Sequence, residues 1–341
     1  MKACMRGRKW GTIVAGVSAA LVIGYFGGVR EYANSVRTAQ GDVVPTVLLQ
    51  AESGVQEQSK NEALLASIQN EAAKRRIEPV DAVVDRVWKA IPGYNGREVD
   101  VEATYRQAVE KAVKAGEPIS YIYREIEPKT SLKDLGAEPT YRGNPKKPMV
   151  SLMINVAWGN EYIEPMLNVL DREQVKATFF LDGSWLRKYP EIAKQIQSRG
   201  HEMENHAYSH PNMSRVSRSR AVQEIQKTQQ LLKDTLGVDN KWFAPPSGDF
   251  NQATVDIAAE LGLRTVLWTL DTVDWKHPDP SSVVAKIAKG VEPGSLILMH
   301  PTDSSSAALR GMIDAIKKKG LKLGTVSETL SSARVEASAV E

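Results

Sequence analysis

The stretch VSLMINVAWGN, residues 150–160, is a short apolar run that ends in a Trp-Gly turn. An apolar run of this length, bounded by a turn signal, reads as a strand buried on both faces. Beyond it, β-rich runs alternate with helical stretches. The strands are expected at 149–156, 177–182, 201–206, 242–244, 264–270, 295–300 and 322–326. Helices are expected near 163–173, 186–199, 219–236, 251–261, 281–288 and 307–319. Seven strands separated by helices predict an α/β fold, a parallel (β/α) sheet closed or nearly closed into a barrel. In such barrels chemistry sits on the loops after the strands. The first strand contains no carboxylate, and that becomes the central question of the site.

The chain has 341 residues, enough for one large domain and a smaller one. Its net charge is only +3, and Lys and Arg are spread rather than clustered, which argues against a nucleic-acid partner. The single cysteine, Cys4, precedes the body of the protein, which therefore has neither disulfides nor thiol chemistry. Lys2, Arg6, Arg8 and Lys9 precede an uncharged stretch at 11–29. As a helix it is roughly 28 Å long, about one bilayer core. The basic flank predicts a cell-membrane protein, single-pass, with its globular part outside the cytoplasm. The stretch reads as a retained signal anchor or, with Ala33 and Ser35 as a small-x-small site, as a cleaved signal peptide that leaves a secreted protein.

Residues 1–10 are then a basic leader, 30–75 a polar, partly helical linker or stalk, and 76–141 a small α/β domain. In the small domain a helix is expected at about 101–115 and a strand at 119–124. RGNPKKP, residues 142–148, reads as a hinge into a domain at 142–330, and 331–341 as a disordered tail.

The chemistry-bearing residues fall at the strand ends. NHAYSH places His206 and His210 four apart, a spacing at which two imidazoles can face one metal ion, usually Zn²⁺. His300 ends another strand, in LILMH, and can act as a general acid. WFAPPSGDFN, 242–251, offers Trp242 and Phe243 as core residues or a sugar-stacking surface, with Pro245 and Pro246 as a rigid wall. LDTVDW, 270–275, adds Asp271, Asp274 and Trp275.

From about residue 148 to 329 the chain resembles the NodB-type polysaccharide deacetylases, carbohydrate esterase family 4. KATFFLDGSW (176–185), GHEMENHAYSHPNMS (200–214), LWTLDTVDW (267–275) and GSLILMH (294–300) occur in that family's order. MINVAWGNEY (153–162) resembles the first motif of membrane-anchored, bacillus sporulation-type homologues. The resemblance implies a distorted seven-stranded (β/α) barrel, a divalent metal and an N-acetylated glycan substrate, with peptidoglycan first among such glycans. Trp242, Pro245 and Trp275 are the candidate substrate contacts, and the resemblance implies an acid role for His300.

In active members of that family the first strand supplies a base Asp and a metal-ligating Asp, and a later Arg tethers the base. Asn155 stands at the place of the base, Val156 at that of the ligand and Ala244 at that of the Arg. Asp274, the holder of that Arg, is left to cap a helix or face solvent. Asp182 and Glu204 are the candidate replacement ligands. An amide accepts no proton at neutral pH and an isopropyl group binds no zinc. Two readings follow: a slow or rearranged deacetylase of cell-wall glycan, or a catalytically silent binding or scaffold protein of the envelope.

Overall fold

The computed structural model describes residues 45–113 and 117–335, and the side chains from residue 58 onward. The described chain divides into two units, residues 45–67 and 68–335. The first consists of the helix that begins at Pro45, whose full extent is Pro45–Arg75. Among the described residues no helix is long and apolar enough to cross a membrane, and the segment expected to do so, 11–29, lies outside them.

In the second unit the leading strands form two small antiparallel pairs: β1 (Val83–Asp85) with β2 (Lys89–Ile91), and β3 (Gly96–Val99) with β4 (Tyr123–Ile126). The helix between β3 and β4 is Val101–Glu110, capped by Asp100, which accepts from the Ala103 amide. It ends earlier than its apolar spacing predicts, because Ala112 takes a left-handed conformation two residues later. The expected strand at 119–124 pairs instead at 123–126.

The main sheet holds β5 (Met149–Val156), β6 (Thr178–Leu181), β7 (Glu202–Asn205), β8 (Trp242–Phe243), β9 (Arg264–Thr265), β10 (Leu270–Asp271), β11 (Leu296–Met299) and β12 (Lys322–Gly324). All its pairings are parallel, in the order β10-β11-β5-β6-β7-β8-β9, with β12 on the first half of β5. This is an α/β fold built on a parallel half-barrel. It differs from the expected seven strands in one place, where the run at 264–270 is two short strands. The backbone crosses from one edge of the sheet to the other between them. Thr140 wedges into that crossing: its amide donates to Thr265 O at 3.0 Å and its carbonyl accepts from the Leu267 amide at 2.8 Å. No local sequence signal marks such a break, because the competing partner is more than a hundred residues away.

β5 is central and buried on both faces. Val150, Leu152, Ile154 and Val156 pack into the layer under the helices, together with Ile163, Met166 and Leu170 of helix Asn160–Arg172. Met153 faces the interior with Phe180, Trp242 and Ala244. Strand alternation puts Asn155 on the same side as Met153. The single helix expected at 186–199 is two, Gly183–Lys188 and Pro190–Ser198, since Pro190 cannot donate within a continuous helix and starts a new one.

The expected hinge is tied down. Gly143 N donates to Gly294 O, Asn144 Nδ2 to Pro92 O, and buried Lys147 Nζ to Ser331 O at 2.8 Å and to the Glu328 carbonyl. Nor is the start of the C-terminal tail free: Ser332 O accepts from Asn95 N, and Arg334 Nη1 donates to Asn95 O. Residues 336–341 lie outside the described set.

His201, at the foot of β7, is buried, and its Nδ1 accepts from the Ala177 amide. Burial, with Lys176 close by, pushes its pKa down to about 4. The imidazole is neutral when folded and protonates more readily when unfolded. Its contribution is therefore full above about pH 6.5 and is lost as pH falls toward 4, a loss of roughly 2–3 kcal/mol. Urea midpoints should fall over that interval. His201→Asn, whose amide oxygen can take over the Ala177 bond, should flatten the fall. An unchanged pH profile in that variant would show that His201 does not titrate with unfolding.

Candidate functional site

The polar residues singled out in the sequence gather where the parallel strands end. His206 follows β7 and is 1 % exposed. Its Nδ1–H donates to the Ala244 carbonyl at 2.7 Å, which leaves Nε2 as the open atom. Burial, with His210 and His300 nearby, pushes its pKa down to about 3, so the ring is neutral. His210 stands 5.2 Å from it, ring centre to ring centre. Burial lowers the His210 pKa also, against the opposing charge of Asp182.

The loop carrying the two histidines is held by groups that sequence reasoning missed. Glu224, buried on helix Arg218–Leu236, accepts from the amides of Tyr208 and Ser209 and from the Ser209 hydroxyl. Asn205 Oδ1 accepts from Ala207 N while its Nδ2 donates to Ile225 O. Ala207 and His210 both sit at positive φ, so the loop depends on these bonds for its shape. Glu224 occupies a buried position in a helix, where nothing in the local pattern announces its role.

Asp274 neither caps a helix nor faces solvent. It is fully buried and accepts from His300 N at 2.6 Å, from His300 Nδ1–H at 2.8 Å and from the Ser305 hydroxyl. Burial pushes its pKa up, but the bonds from His300 and Ser305 outweigh that and hold it below the ordinary value. This carboxylate fixes the His300 ring and leaves Nε2 free. Val273, a β-branched residue at φ 57, holds the backbone just before it, helped by its amide's bond to Asp271 Oδ1.

Trp158, on the loop after β5, lies flat on His300 with centres 5.4 Å apart and planes 14° apart. It also meets His210 edge-on at 6.3 Å. This half-exposed indole therefore bridges the two imidazoles at the mouth of the site. Gly159 next to it has φ 80, and a Cβ there would come 1.9 Å from Pro301 O, so the two loops close tightly on each other.

The expected acid, base and ligand positions have these surroundings. Asn155 is 3 % exposed, and its Oδ1 has no hydrogen-bond partner. Val156 packs in the helix-facing apolar layer. Asp182 Oδ1 caps helix Gly183–Lys188 by accepting from Trp185 N and Ser184 Oγ, and its buried Oδ2 has no partner. Glu204 Oε2 is taken by the amides of Lys241 and Trp242. Burial and the charge of Glu202 raise the Glu204 pKa well above the ordinary value. Among the described residues no three His, Cys, Asp or Glu side chains are placed to hold a metal ion. The donor set is thus two imidazoles, one short of the three protein ligands that a catalytic zinc takes. Of the expected sugar contacts, Trp242 is an interior residue whose Nε1–H donates to Ser327 Oγ, and Pro245 is buried. Trp275 is exposed, beside Lys276.

The polysaccharide deacetylase family pattern matches residues 142–266. Protein YlxY of Bacillus subtilis is 43 % identical over 277 residues, covering 81 % of this chain and 86 % of that protein. A wild-type CE4 family pseudoenzyme from Bacillus anthracis superposes with a TM-score of 0.73 at 42 % identity, covering 80 % and 96 %. The chain belongs to the polysaccharide deacetylase family, carbohydrate esterase family 4. A mutant of that pseudoenzyme, described as having restored enzymatic activity, superposes equally well at 40 % identity, covering 80 % and 99 %. A peptidoglycan-N-acetylglucosamine deacetylase of Bacillus cereus is 34 % identical over 178 residues, 52 % of this chain and 64 % of that enzyme.

Among these deacetylase-fold residues, the Asp274 carboxylate is the strongest organiser of the remaining site. Asp274→Asn would leave donors facing the new amide group and remove the charge that favours three bonds. A loss of about 1–3 kcal/mol in urea denaturation is expected. Stability equal to the parent's would show that the Asp274–His300 contact is not maintained in solution.

Proposed function

We propose that this protein is a catalytically silent deacetylase domain that binds N-acetylated cell-wall glycan of the peptidoglycan type, held at the outer face of the membrane by its N-terminal segment. The observation that carries the silent reading is the interior end of β5. There Asn155 stands where the family places its base, with an unpartnered amide oxygen that cannot take a proton from water. Val156, on the next position, faces apolar neighbours, and Ala244 offers only a backbone carbonyl, already used by His206. Trp158 lies across His300 and His210, over the surface an acyl group would have to approach.

What remains favours binding. His300 is oriented by Asp274, and the exposed Trp158 and Trp275 give two indole faces at the rim on which a sugar ring can stack. The pseudoenzyme likeness supports silence, and the likeness to peptidoglycan deacetylases supports a glycan ligand. Export and anchoring rest on the basic leader before the uncharged stretch at 11–29. A metal has no step in this function.

The restored mutant of the relative suggests a direct test. The full chain should release no acetate from peptidoglycan, and zinc should leave its urea midpoint unchanged. In Asn155→Asp/Val156→Asp, an aspartate placed against the apolar layer should cost about 3 kcal/mol without metal. Zinc at several hundred times its Kd should then recover about 3 kcal/mol. Adding Ala244→Arg should allow acetate release. Zinc binding or acetate release by the parent chain would overturn the silent reading.

A further inference from the structure

Beside the histidine loop lies a polar groove of about 570 Å³, between Tyr208 and the exposed face of helix Arg218–Leu236. Tyr208 is fixed there on three sides. Glu224 holds its amide, the Ser184 amide donates to its carbonyl at 2.8 Å, and its ring lies against Gly183. A Cβ at Gly183 would come 2.7 Å from Tyr208 Cδ2 and 2.4 Å from Thr228 Oγ1, so a glycine is what allows this ring position.

Two cations converge on the phenol. Arg187 Nη1 donates to its hydroxyl at 3.4 Å, and Lys227 Nζ lies 3.5 Å from the ring centre. Among the described residues neither Arg187 nor Lys227 is ion-paired with a carboxylate. The acid of the groove, Glu224, is spent on the loop amides, the Ser209 hydroxyl and Arg220. Gln223 and Gln226 add amide groups along the wall. Lys227 on the groove wall and Arg187 at the Tyr208 hydroxyl thus bring two cations without a carboxylate partner to a fixed phenol, next to neutral donors and acceptors. That is the complement of an oxyanion carried on a polar polymer.

We propose that this groove is a second subsite, which takes a carboxylate of the glycan's peptide or acidic sugar while the sugar chain lies over the Trp158 rim. The proposal rests on the glycan-binding reading. Tyr208 stands between His206 and His210 in sequence, and His210 meets Trp158 edge-on at 6.3 Å, so the loop that carries the groove's phenol also touches the rim. Arg187 and Lys227 act as the carboxylate's charge partners, and the Tyr208 hydroxyl as a neutral donor beside them.

The test measures binding of the full chain to three probes: soluble peptidoglycan oligomers with free carboxylates, the same oligomers amidated, and glycerol-phosphate oligomers. The parent should prefer the free-carboxylate form. Arg187→Ala and Lys227→Ala should each weaken it about fivefold, and the pair should abolish the preference. Tyr208→Phe should weaken binding less, and added salt should act on the parent more than on the double variant. Equal binding of free and amidated oligomers would overturn the proposal. So would binding of phosphate oligomers alone, or variants that bind like the parent while unfolding at the parent's urea midpoint. If the parent binds none of the glycans, the glycan-binding reading itself fails. If it binds them all irrespective of Arg187 and Lys227, only the subsite fails.

Discussion

Burial of β5 on both faces is the constraint from which the rest of the structure follows. Three strands pair with this one segment, β11 on one side and β6 and β12 at its two ends on the other. Its alternate side chains must therefore satisfy two different apolar layers at once, the helix-facing layer and the interior. The strand stays buried to its last residues, and there Asn155 places an uncharged polar group in the interior. A carboxylate at that place would need a metal or a cation to offset the loss of hydration. The amide needs neither, although its oxygen is left without a partner.

The charged groups near the strand ends follow the same rule. Asp274 is buried but accepts three hydrogen bonds, and Glu224 accepts from a loop and an arginine. Asp182 is a helix cap, and Glu204 sits on two amides with its proton affinity raised. Each carboxylate has a structural task, and only Asp182, whose Oδ2 is left without a partner, brings its charge to bear on His210. On the proposed alignment, replacement of the Arg by Ala244 belongs with this pattern. A guanidinium in the interior would find the amide of Asn155 in place of its carboxylate partner, and the Asp274 carboxylate already engaged by His300 and Ser305. Trp158 then covers His210 and His300 with an aromatic face.

The sequence by itself determined the alternation of strands and helices, the parallel class and the strand ends as the place of His206, His210 and His300. These are carried by local periodicity, by turn residues and by runs of apolar side chains, all readable over ten residues or fewer. It also determined what chemistry Asn155, Val156 and Ala244 are unable to perform, since that depends only on residue type. Tertiary structure alone decided that the run at 264–270 breaks around Thr140, that the segment at 142–148 is bound rather than a hinge, and that Asp274 holds His300. It alone brought Glu224 under the histidine loop, Trp158 onto His300, and Arg187 and Lys227 to Tyr208. Each of these is a contact between elements distant in sequence. The energy that decides it lies in burial and hydrogen bonding across the fold, which no local pattern encodes.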